Sequence, residues 1–379
     1  MKVPFLDLRA QDAAIGTAIR EALSEVVASQ QFILGPHVAR FETAMADYCG
    51  VAHAIGVASG TDALALALAA LGVGPGRAVV TTPFSFFASA STIVRLGARA
   101  LFADIDPVTF NIDPAAAAAA ADQAGASVIG IMPVHLFGRL APMAPLRALA
   151  ERRGLWLLED AAQAVGARDG GVVAGAFGAA GCLSFYPTKN LGGLGDGGMV
   201  LTGDEAVASR VRRDRHQGQR APYVHESIGL CSRLDALQAV ALGVKLRHLD
   251  AWNARRREVA GWYTTWFREA GLAGHDDAPL RLPQEAGAAH VFHQYVVRAR
   301  ERDALRAFLS TAGVDTQVYY SLPLHLQPAL AHLGHREGEL PHAERASREV
   351  LALPIYPELS RQAAETVVEA VAGFYRARA

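Results

Sequence analysis

The stretch that decides the fold is Ser184-Phe185-Tyr186-Pro187-Thr188-Lys189-Asn190-Leu191-Gly192-Gly193-Leu194-Gly195-Asp196-Gly197-Gly198. Lys189 lies between an apolar segment with strand character, residues 181–185, and a loop that contains five glycines. Another strand is predicted directly after the loop, over residues 199–202. We expect the glycines to turn the backbone tightly, to adopt positive φ and to approach a ligand closely. A solvated lysine on a surface loop is the simpler alternative, but it does not explain the apolar approach or the glycines.

A second apolar strand, residues 155–158, is followed by Glu159 and Asp160. Ligands of an open α/β sheet bind at the carboxyl ends of its strands, so Asp160 is a candidate ligand residue. A pyridoxal phosphate site needs a lysine for the Schiff base and an acid that keeps the ring nitrogen protonated. Lys189, with a pKa lowered by burial, and Asp160 supply this pair. An acid after an apolar strand has many structural explanations alone, and the lysine downstream is what favours the cofactor.

A third stretch predicts a phosphate site. Ala58-Ser59-Gly60-Thr61-Asp62 precedes an Ala/Leu-rich helix over residues 63–71. The free N–H groups and the dipole of a helix N-terminus attract anions, although Ser59 or Thr61 could simply cap the helix. Ser184 could add a hydroxyl from the lysine strand. Phe86 or Phe87, after a strand over residues 78–82, is placed to stack on a planar ring, although aromatic residues there are more often core.

The composition limits the class of protein. The chain has 379 residues, which at ~100–200 residues per domain predicts two or three domains. Hydrophobic residues make up 51% and the formal net charge is −1, so we expect a large core and no general attraction to nucleic acid or membranes. The three cysteines are scattered and lack CxxC spacing, which argues against disulfides and zinc and favours a reducing cytoplasm. Neither a signal peptide nor a membrane span is expected, because charges interrupt the apolar segments.

Strands alternate with helices up to residue 202, which predicts an α/β fold with a mostly parallel sheet. No GxGxxG follows the first strand, so a dinucleotide loop is not expected. From residue 232 a long helical pattern runs through Leu249, and its continuation to Phe267 stays open. The rest has an alternating stretch at residues 293–298, a helix over 302–312 and closing helices over 343–351 and 361–374. We therefore predict a large domain over residues 1–250 and a smaller α+β domain over residues 251–379.

Several motifs together carry a resemblance that runs nearly end to end. They are residues 4–8 (PFLDL), 33–36 (ILGP), 58–62 (ASGTD), 133–138 (PVHLFG), 159–163 (EDAAQ), 184–189 (SFYPTK) and 232–238 (SRLDALQ). With them the chain resembles the DegT/DnrJ/EryC1/StrS aminotransferases, sugar aminotransferases among the fold-type I pyridoxal phosphate enzymes. The resemblance implies that fold, with the large domain binding the cofactor, and no metal.

The resemblance also implies residue roles. Lys189 is the catalytic lysine that binds the cofactor as a Schiff base, and Asp160 pairs with the pyridine nitrogen. Gln163 lies near the ring hydroxyl, and Phe86 covers one face of the ring. The phosphate is held by Gly60, Thr61 and Ser184.

The implied reaction moves an amino group from an amino acid, with L-glutamate expected, to a nucleotide-linked ketosugar in amino-sugar biosynthesis. Five residues are candidate sugar or nucleotide contacts, although each could equally be a packed or surface residue: Tyr186, Arg233, Tyr319, Tyr320 and His325. Family members are usually homodimers with shared active sites, in which the segment around Arg233 reaches the other subunit's cofactor.

Two departures bear on the substrate. Cys231 stands where the family typically has an asparagine that touches the partner's cofactor phosphate, and a thiol is a weak donor. Tyr319-Tyr320-Ser321 stands where relatives often have His-Tyr-Pro. Residues 323–328 and 223–226 are most similar to 3-amino-sugar members, which favours a 3-keto over a 4-keto substrate.

Two alternative functions remain. One is a pyridoxamine phosphate-dependent sugar dehydratase, but such relatives have histidine in place of the lysine. The other is a non-catalytic regulator of the same family, which would be expected to lose Lys189 or Asp160.

Overall fold

Seven strands form the central sheet of the computed structural model, which describes residues 2–378. The strands of the chain are β1 (His53–Val57), β2 (Ala78–Thr81), β3 (Arg99–Phe102), β4 (Val128–Met132), β5 (Trp156–Asp160), β6 (Arg168–Asp169), β7 (Val172–Val173), β8 (Ala180–Ser184), β9 (Gly198–Thr202), β10 (Gln219–Ala221), β11 (Val224–His225), β12 (Leu280–Arg281), β13 (Tyr295–Ala299) and β14 (Val350–Leu353). The helices are α1 (Leu8–Ser29), α2 (Gly35–Cys49), α3 (Gly60–Ala70), α4 (Ala88–Arg95), α5 (Pro114–Ala124), α6 (Met143–Arg153), α7 (Glu205–Asp214), α8 (Ala236–Leu246), α9 (Leu249–Glu269), α10 (Arg302–Thr311), α11 (Pro341–Glu349) and α12 (Arg361–Arg376).

The order of the central sheet is β1-β9-β8-β5-β4-β2-β3. Strand β9 runs antiparallel to its neighbours β1 and β8, and the strands from β8 to β3 pair in parallel. The predicted α/β fold with a mostly parallel sheet is confirmed. Because β1 therefore points the same way as β8 and β5, the residues after all three strands meet at one edge of the sheet.

Helices cover both faces of the sheet, because the buried strands carry apolar side chains on both faces. In β2, Val79 packs with α3 and α4, whereas Val80 packs with α5 and α6 on the opposite face. Such a strand, apolar on both faces, is typical of a parallel sheet enclosed by helices. The outcome is a three-layer arrangement that leaves the carboxyl edge of the sheet free to form a site.

A second, antiparallel sheet of β12, β13 and β14 has its own core, in which Tyr263 and Phe267 of α9 pack against the sheet. The N-terminal segment joins this core, since Val3 is fully buried there and its N–H donates to the Gly313 carbonyl (2.8 Å). A domain boundary at residue 250 stays a prediction.

The closing-helix prediction over residues 343–351 is wrong at its carboxyl end. Helix α11 ends at Glu349, and the next four residues form β14, which pairs with β13. A short apolar run such as Val350-Leu351-Ala352-Leu353 fits a helix or a strand equally well by periodicity. The pairing with β13, about fifty residues away, decides it, and no local signal shows this.

Gly198, at the start of β9, generates a prediction about stability. A Cβ built there would lie 2.3 Å from the carbonyl carbon and oxygen of Ser59, so backbone would have to move. We expect Gly198→Ala to lower the free energy of unfolding by about 1–3 kcal/mol, the usual cost of overpacking. The matched control is Gly203→Ala, whose Cβ meets nothing within 4 Å. Equal stability of the two variants in chemical denaturation would contradict the close approach.

Candidate active site

A cavity of about 500 Å³ lies at the carboxyl edge of the sheet. It brings together ten of the site residues that were predicted from the sequence. They come from segments of which the first and the last lie more than 250 positions apart in the chain. They are Gly60, Thr61, Phe86, Asp160, Gln163, Ser184, Tyr186, Lys189, Tyr319 and Tyr320. Their shared position is a geometric finding, and their individual roles stay predictions.

The Asp160 carboxyl, at the end of β5, is 5% exposed. The Ser89 hydroxyl donates to its Oδ2 (2.8 Å), and the Ala162 N–H approaches its Oδ1 (3.3 Å). Burial raises the pKa of Asp160, while the Ser89 hydrogen bond and the charge of Lys189 oppose that rise. The carboxyl is therefore held in one orientation, facing the same cavity as the lysine.

Ser89 is a residue that the sequence interpretation missed. It lies in the first turn of α4, and its hydroxyl is also 2.9 Å from that of Ser85, one turn earlier. The i, i+4 spacing of two serines beside Phe86 was a signal, but serines at a helix start are far more often caps.

Glu159, the other acid of the pair, points away from the cavity because successive strand residues face opposite sides. It is fully buried and accepts hydrogen bonds from the N–H groups of Gly175, Phe177 and Gly178 (2.7–2.8 Å). His135 completes the set. Its Nδ1 accepts from the Ala141 N–H, so its Nε2–H donates to Glu159 (2.8 Å). All these partners are internal, so Glu159 anchors the end of β5 and leaves Asp160 as the acid of the site.

Lys189 follows β8 in a tight turn, in which its N–H donates to the Tyr186 carbonyl (2.8 Å). Its side chain is partly buried and lines the cavity. Burial lowers the pKa of its amine to about 8, against the opposing effect of the Asp160 charge. A larger fraction of the amine is therefore unprotonated near neutral pH than for a solvated lysine, as imine formation requires.

The glycines after Lys189 do not have the backbone conformation that the sequence suggested. None of the five in residues 192–198 has positive φ, so that expectation is wrong. They are instead required by close packing. A Cβ on Gly192 would lie 2.2 Å from the Pro187 carbonyl oxygen, and one on Gly197 would lie 2.9 Å from the Leu234 side chain. The loop thus packs tightly on its own protein, which fixes the turn that carries Lys189.

The N-terminus of α3 opens into the cavity. Ser59 caps the helix by accepting the Asp62 N–H (3.1 Å), and the N–H groups of Gly60 and Thr61 belong to the first turn, where intrahelical partners are lacking. A Cβ on Gly60 would lie 2.7 Å from the Ser184 Cβ, so only glycine allows the helix to start beside Ser184. Backbone donors and a hydroxyl thus surround a pocket that suits a phosphate group.

Gln163 and Tyr320 also line the cavity. The Gln163 Oε1 accepts the Phe137 N–H (2.6 Å), and its Nε2 donates to the Tyr320 hydroxyl (3.0 Å). Phe86 lines the cavity and is 59% exposed, so much of its side chain is not covered by protein. The donor set therefore fits pyridoxal phosphate: an anion cradle, an oriented acid and an amine with a lowered pKa line one cavity.

Two of the five candidate substrate contacts do not line this cavity, and neither does Phe87, the alternative stacking residue. Arg233 is 2.9 Å from the His216 Nδ1. His325 is buried near Phe102, with its Nε2 3.1 Å from a Glu344 oxygen. Their assignment to the substrate stays a prediction.

Other residues line the cavity without having been nominated, among them Thr188, Asp196, His293 and Gln294. The last two come from the approach to β13, which the sequence showed only as an alternating stretch. Within residues 2–378 no group of three or more His, Cys, Asp or Glu side chains could hold a metal ion. In the same residues no helix is both long and apolar enough to cross a membrane.

The lowered pKa of Lys189 generates a prediction. The chain has three lysines, Lys2, Lys189 and Lys245, so reductive ¹³C-methylation of the apoprotein gives few signals, and Lys189→Arg assigns them. We expect the Lys189 resonance to titrate with a midpoint of about 8, since burial disfavours the charged amine. A midpoint close to 10.5, the ordinary lysine value, would contradict the burial of this amine.

Known proteins similar to this chain identify its family. Residues 13–372 match the model described as the DegT/DnrJ/EryC1/StrS aminotransferase family. A Geobacillus stearothermophilus protein named "Pleiotropic regulatory protein" is 48% identical over 99% of both chains. The Streptomyces venezuelae "dTDP-3-amino-3,4,6-trideoxy-alpha-D-glucose transaminase" is 42% identical over 98% of this chain and 95% of that one.

The solved structures agree with the fold. The X-ray structure of S. venezuelae DesV in complex with a ketimine intermediate superposes with a TM-score of 0.93, at 42% identity, over 98% of both chains. Another similar structure contains the cofactor as pyridoxamine phosphate. Pyridoxal phosphate is therefore the cofactor. The chain belongs to the DegT/DnrJ/EryC1/StrS aminotransferase family, as a pyridoxal phosphate-dependent aminotransferase.

Proposed function

We propose that this protein transfers an amino group from L-glutamate to a nucleotide-linked 3-ketosugar in amino-sugar biosynthesis. The observation that carries the reaction class is the convergence of Lys189, Asp160 and the N-terminus of α3 on one cavity. The printed name of the S. venezuelae relative supports a nucleotide-linked sugar aminated at C3. L-Glutamate as donor rests on the resemblance of the sequence to the family.

Each residue has a physical task in this reaction. The bound cofactor supplies an aldehyde carbon for amines and a protonated ring that withdraws electrons. Asp160 holds the proton on the ring nitrogen, and Lys189 moves the proton at Cα of the amino donor as general base and acid. Gly60, Thr61 and Ser184 bind the phosphate.

A regulatory role is the second candidate, because the G. stearothermophilus relative is named a pleiotropic regulatory protein. A protein that only senses the cofactor has no need for a catalytic lysine and an oriented acid in one cavity. Both are present here. A family dehydratase is disfavoured by Lys189 itself, since those relatives have histidine there.

The test is a pair of half-reactions followed separately. L-Glutamate should change the visible absorbance of the cofactor-loaded protein and release 2-oxoglutarate. The aminated protein should then convert dTDP- or UDP-linked 3-ketosugars faster than the 4-keto isomers. Lys189→Arg keeps the positive charge but cannot form an imine, so both half-reactions should fall to background. A protein that binds the cofactor but reacts with no amino acid would favour the regulatory candidate.

We also propose a cytoplasmic homodimer. The hairpin of β10 and β11 carries Tyr223, which is 94% exposed, and Ile228 follows it with full exposure. Apolar side chains so exposed are typical of an interface. Arg233, which does not line its own subunit's cavity, lies beyond this hairpin, so its proposed partner is the cavity of the second subunit. The free thiols of Cys49, Cys182 and Cys231 suit a reducing compartment.

Mixing two inactive variants tests shared sites. If Arg233 serves the other subunit, a hybrid of Lys189→Ala with Arg233→Ala has one intact site. Random mixing should then restore roughly a quarter of the unaltered activity. Absence of recovery in proven hybrid dimers would place Arg233 in its own subunit's site, and a monomeric protein in light scattering would exclude sharing altogether.

A further inference from the structure

His293 lies on a wall that separates two chambers. The first is the cavity of Lys189. The second, of about 510 Å³, is enclosed by residues 4–9 on its other side. Thr188, His293, Gln294 and Tyr319 line both chambers. A ligand that extends from the lysine towards the N-terminal segment would therefore meet the boundary that these four residues form, His293 among them.

A chain of buried amides fixes the tautomer of this histidine. The Asn253 Nδ2 donates to the Val165 carbonyl (3.0 Å), so the Asn253 Oδ1 accepts from the Asn190 Nδ2 (2.7 Å). The Asn190 Nδ2 also approaches the Val291 carbonyl (3.2 Å), which confirms that this atom is the donor nitrogen. The Asn190 Oδ1 must then accept the Nδ1–H of His293 (3.1 Å).

The remaining ring nitrogen, Nε2, therefore carries a lone pair. This Nε2 atom has no hydrogen-bond partner among residues 2–378. It is also absent from the buried side-chain atoms that lack a partner, so part of its surface is accessible. Burial holds the pKa of His293 well below its usual range, and the positive charges of Lys189 and Arg256 add to this effect. The ring is consequently neutral, so Nε2 can accept a hydrogen bond but has no proton to donate.

We propose that the Nε2 of His293 accepts a hydrogen bond from a hydroxyl group of the sugar substrate, at the junction of the two chambers. The proposal rests on the proposed function and extends it to a residue that determines specificity. A sugar hydroxyl suits this acceptor because it can donate and is uncharged. The amino donor offers ionised carboxylates, which cannot donate, and a single amino group, which is the one that reacts.

Two substitutions distinguish the acceptor at Nε2 from the hydrogen bond between Nδ1 and Asn190. The amide of an asparagine reaches only the position of Nδ1, so His293→Asn keeps a donor for Asn190 and loses the acceptor at Nε2. The amide of a glutamine reaches the position of Nε2, so His293→Gln keeps the acceptor and loses the bond to Asn190. The half-reaction with L-glutamate and the half-reaction with dTDP- or UDP-linked 3-ketosugars are measured separately, together with the absorbance of the bound cofactor.

We expect His293→Asn to lower kcat/KM for the sugar about tenfold, the effect of one hydrogen bond, while His293→Gln recovers most of the loss. In His293→Asn, which keeps the bond to Asn190, the glutamate half-reaction and the absorbance should change less than the sugar half-reaction. Among deoxy analogues of the sugar, one should react equally with the unaltered protein and with His293→Asn, which identifies the hydroxyl.

Other outcomes overturn the assignment. Equal losses in both half-reactions, or a larger loss in His293→Gln than in His293→Asn, would make His293 a structural residue of the lysine turn. An unchanged sugar half-reaction in His293→Asn would exclude the hydrogen bond. Failure of the unaltered protein to convert any ketosugar of the panel, despite reaction with L-glutamate, would instead overturn the proposed function and this assignment with it.

Discussion

A carboxylate and an amine line one cavity in which both side chains are at least partly buried, and the rest of the site depends on that constraint. Burial disfavours the charged form of each, which raises the pKa of Asp160 and lowers that of Lys189. Each charge lowers the free-energy cost of burying the opposite charge. The Ser89 hydroxyl adds a hydrogen bond that favours the ionised form of Asp160. Asp160 can thus hold a cationic ring, and Lys189 can lose its proton and act as a nucleophile.

The sheet topology creates this arrangement. Asp160 ends β5, Ser184 ends β8 and Gly60 begins the helix after β1, and these strands point the same way although β9 between β1 and β8 is reversed. Gly198 of β9 passes the Ser59 backbone so closely that no side chain fits. Close packing thereby brings the anion cradle after β1 and the lysine turn after β8 together across β9.

The sequence predicted the parts of the site that follow local rules. Lys189, Asp160 and Gly60 could be found because strand ends and helix starts have recognisable patterns. Ser89 and His293 were missed, since their importance comes from the atoms that they contact across the fold. For the glycine loop, the sequence indicated the geometry but not its physical cause. Its composition correctly indicated tight geometry, but the cause is packing and not positive φ.

The most direct test of the account is borohydride reduction of the cofactor-loaded protein, followed by peptide mapping. Reduction converts an imine to a stable amine, so the mass of the cofactor marks the lysine that bound it. We expect the label on Lys189 in the peptide that contains residues 184–198, and on neither Lys2 nor Lys245. A label on either of those lysines, or no label on a protein that holds the cofactor, would contradict it.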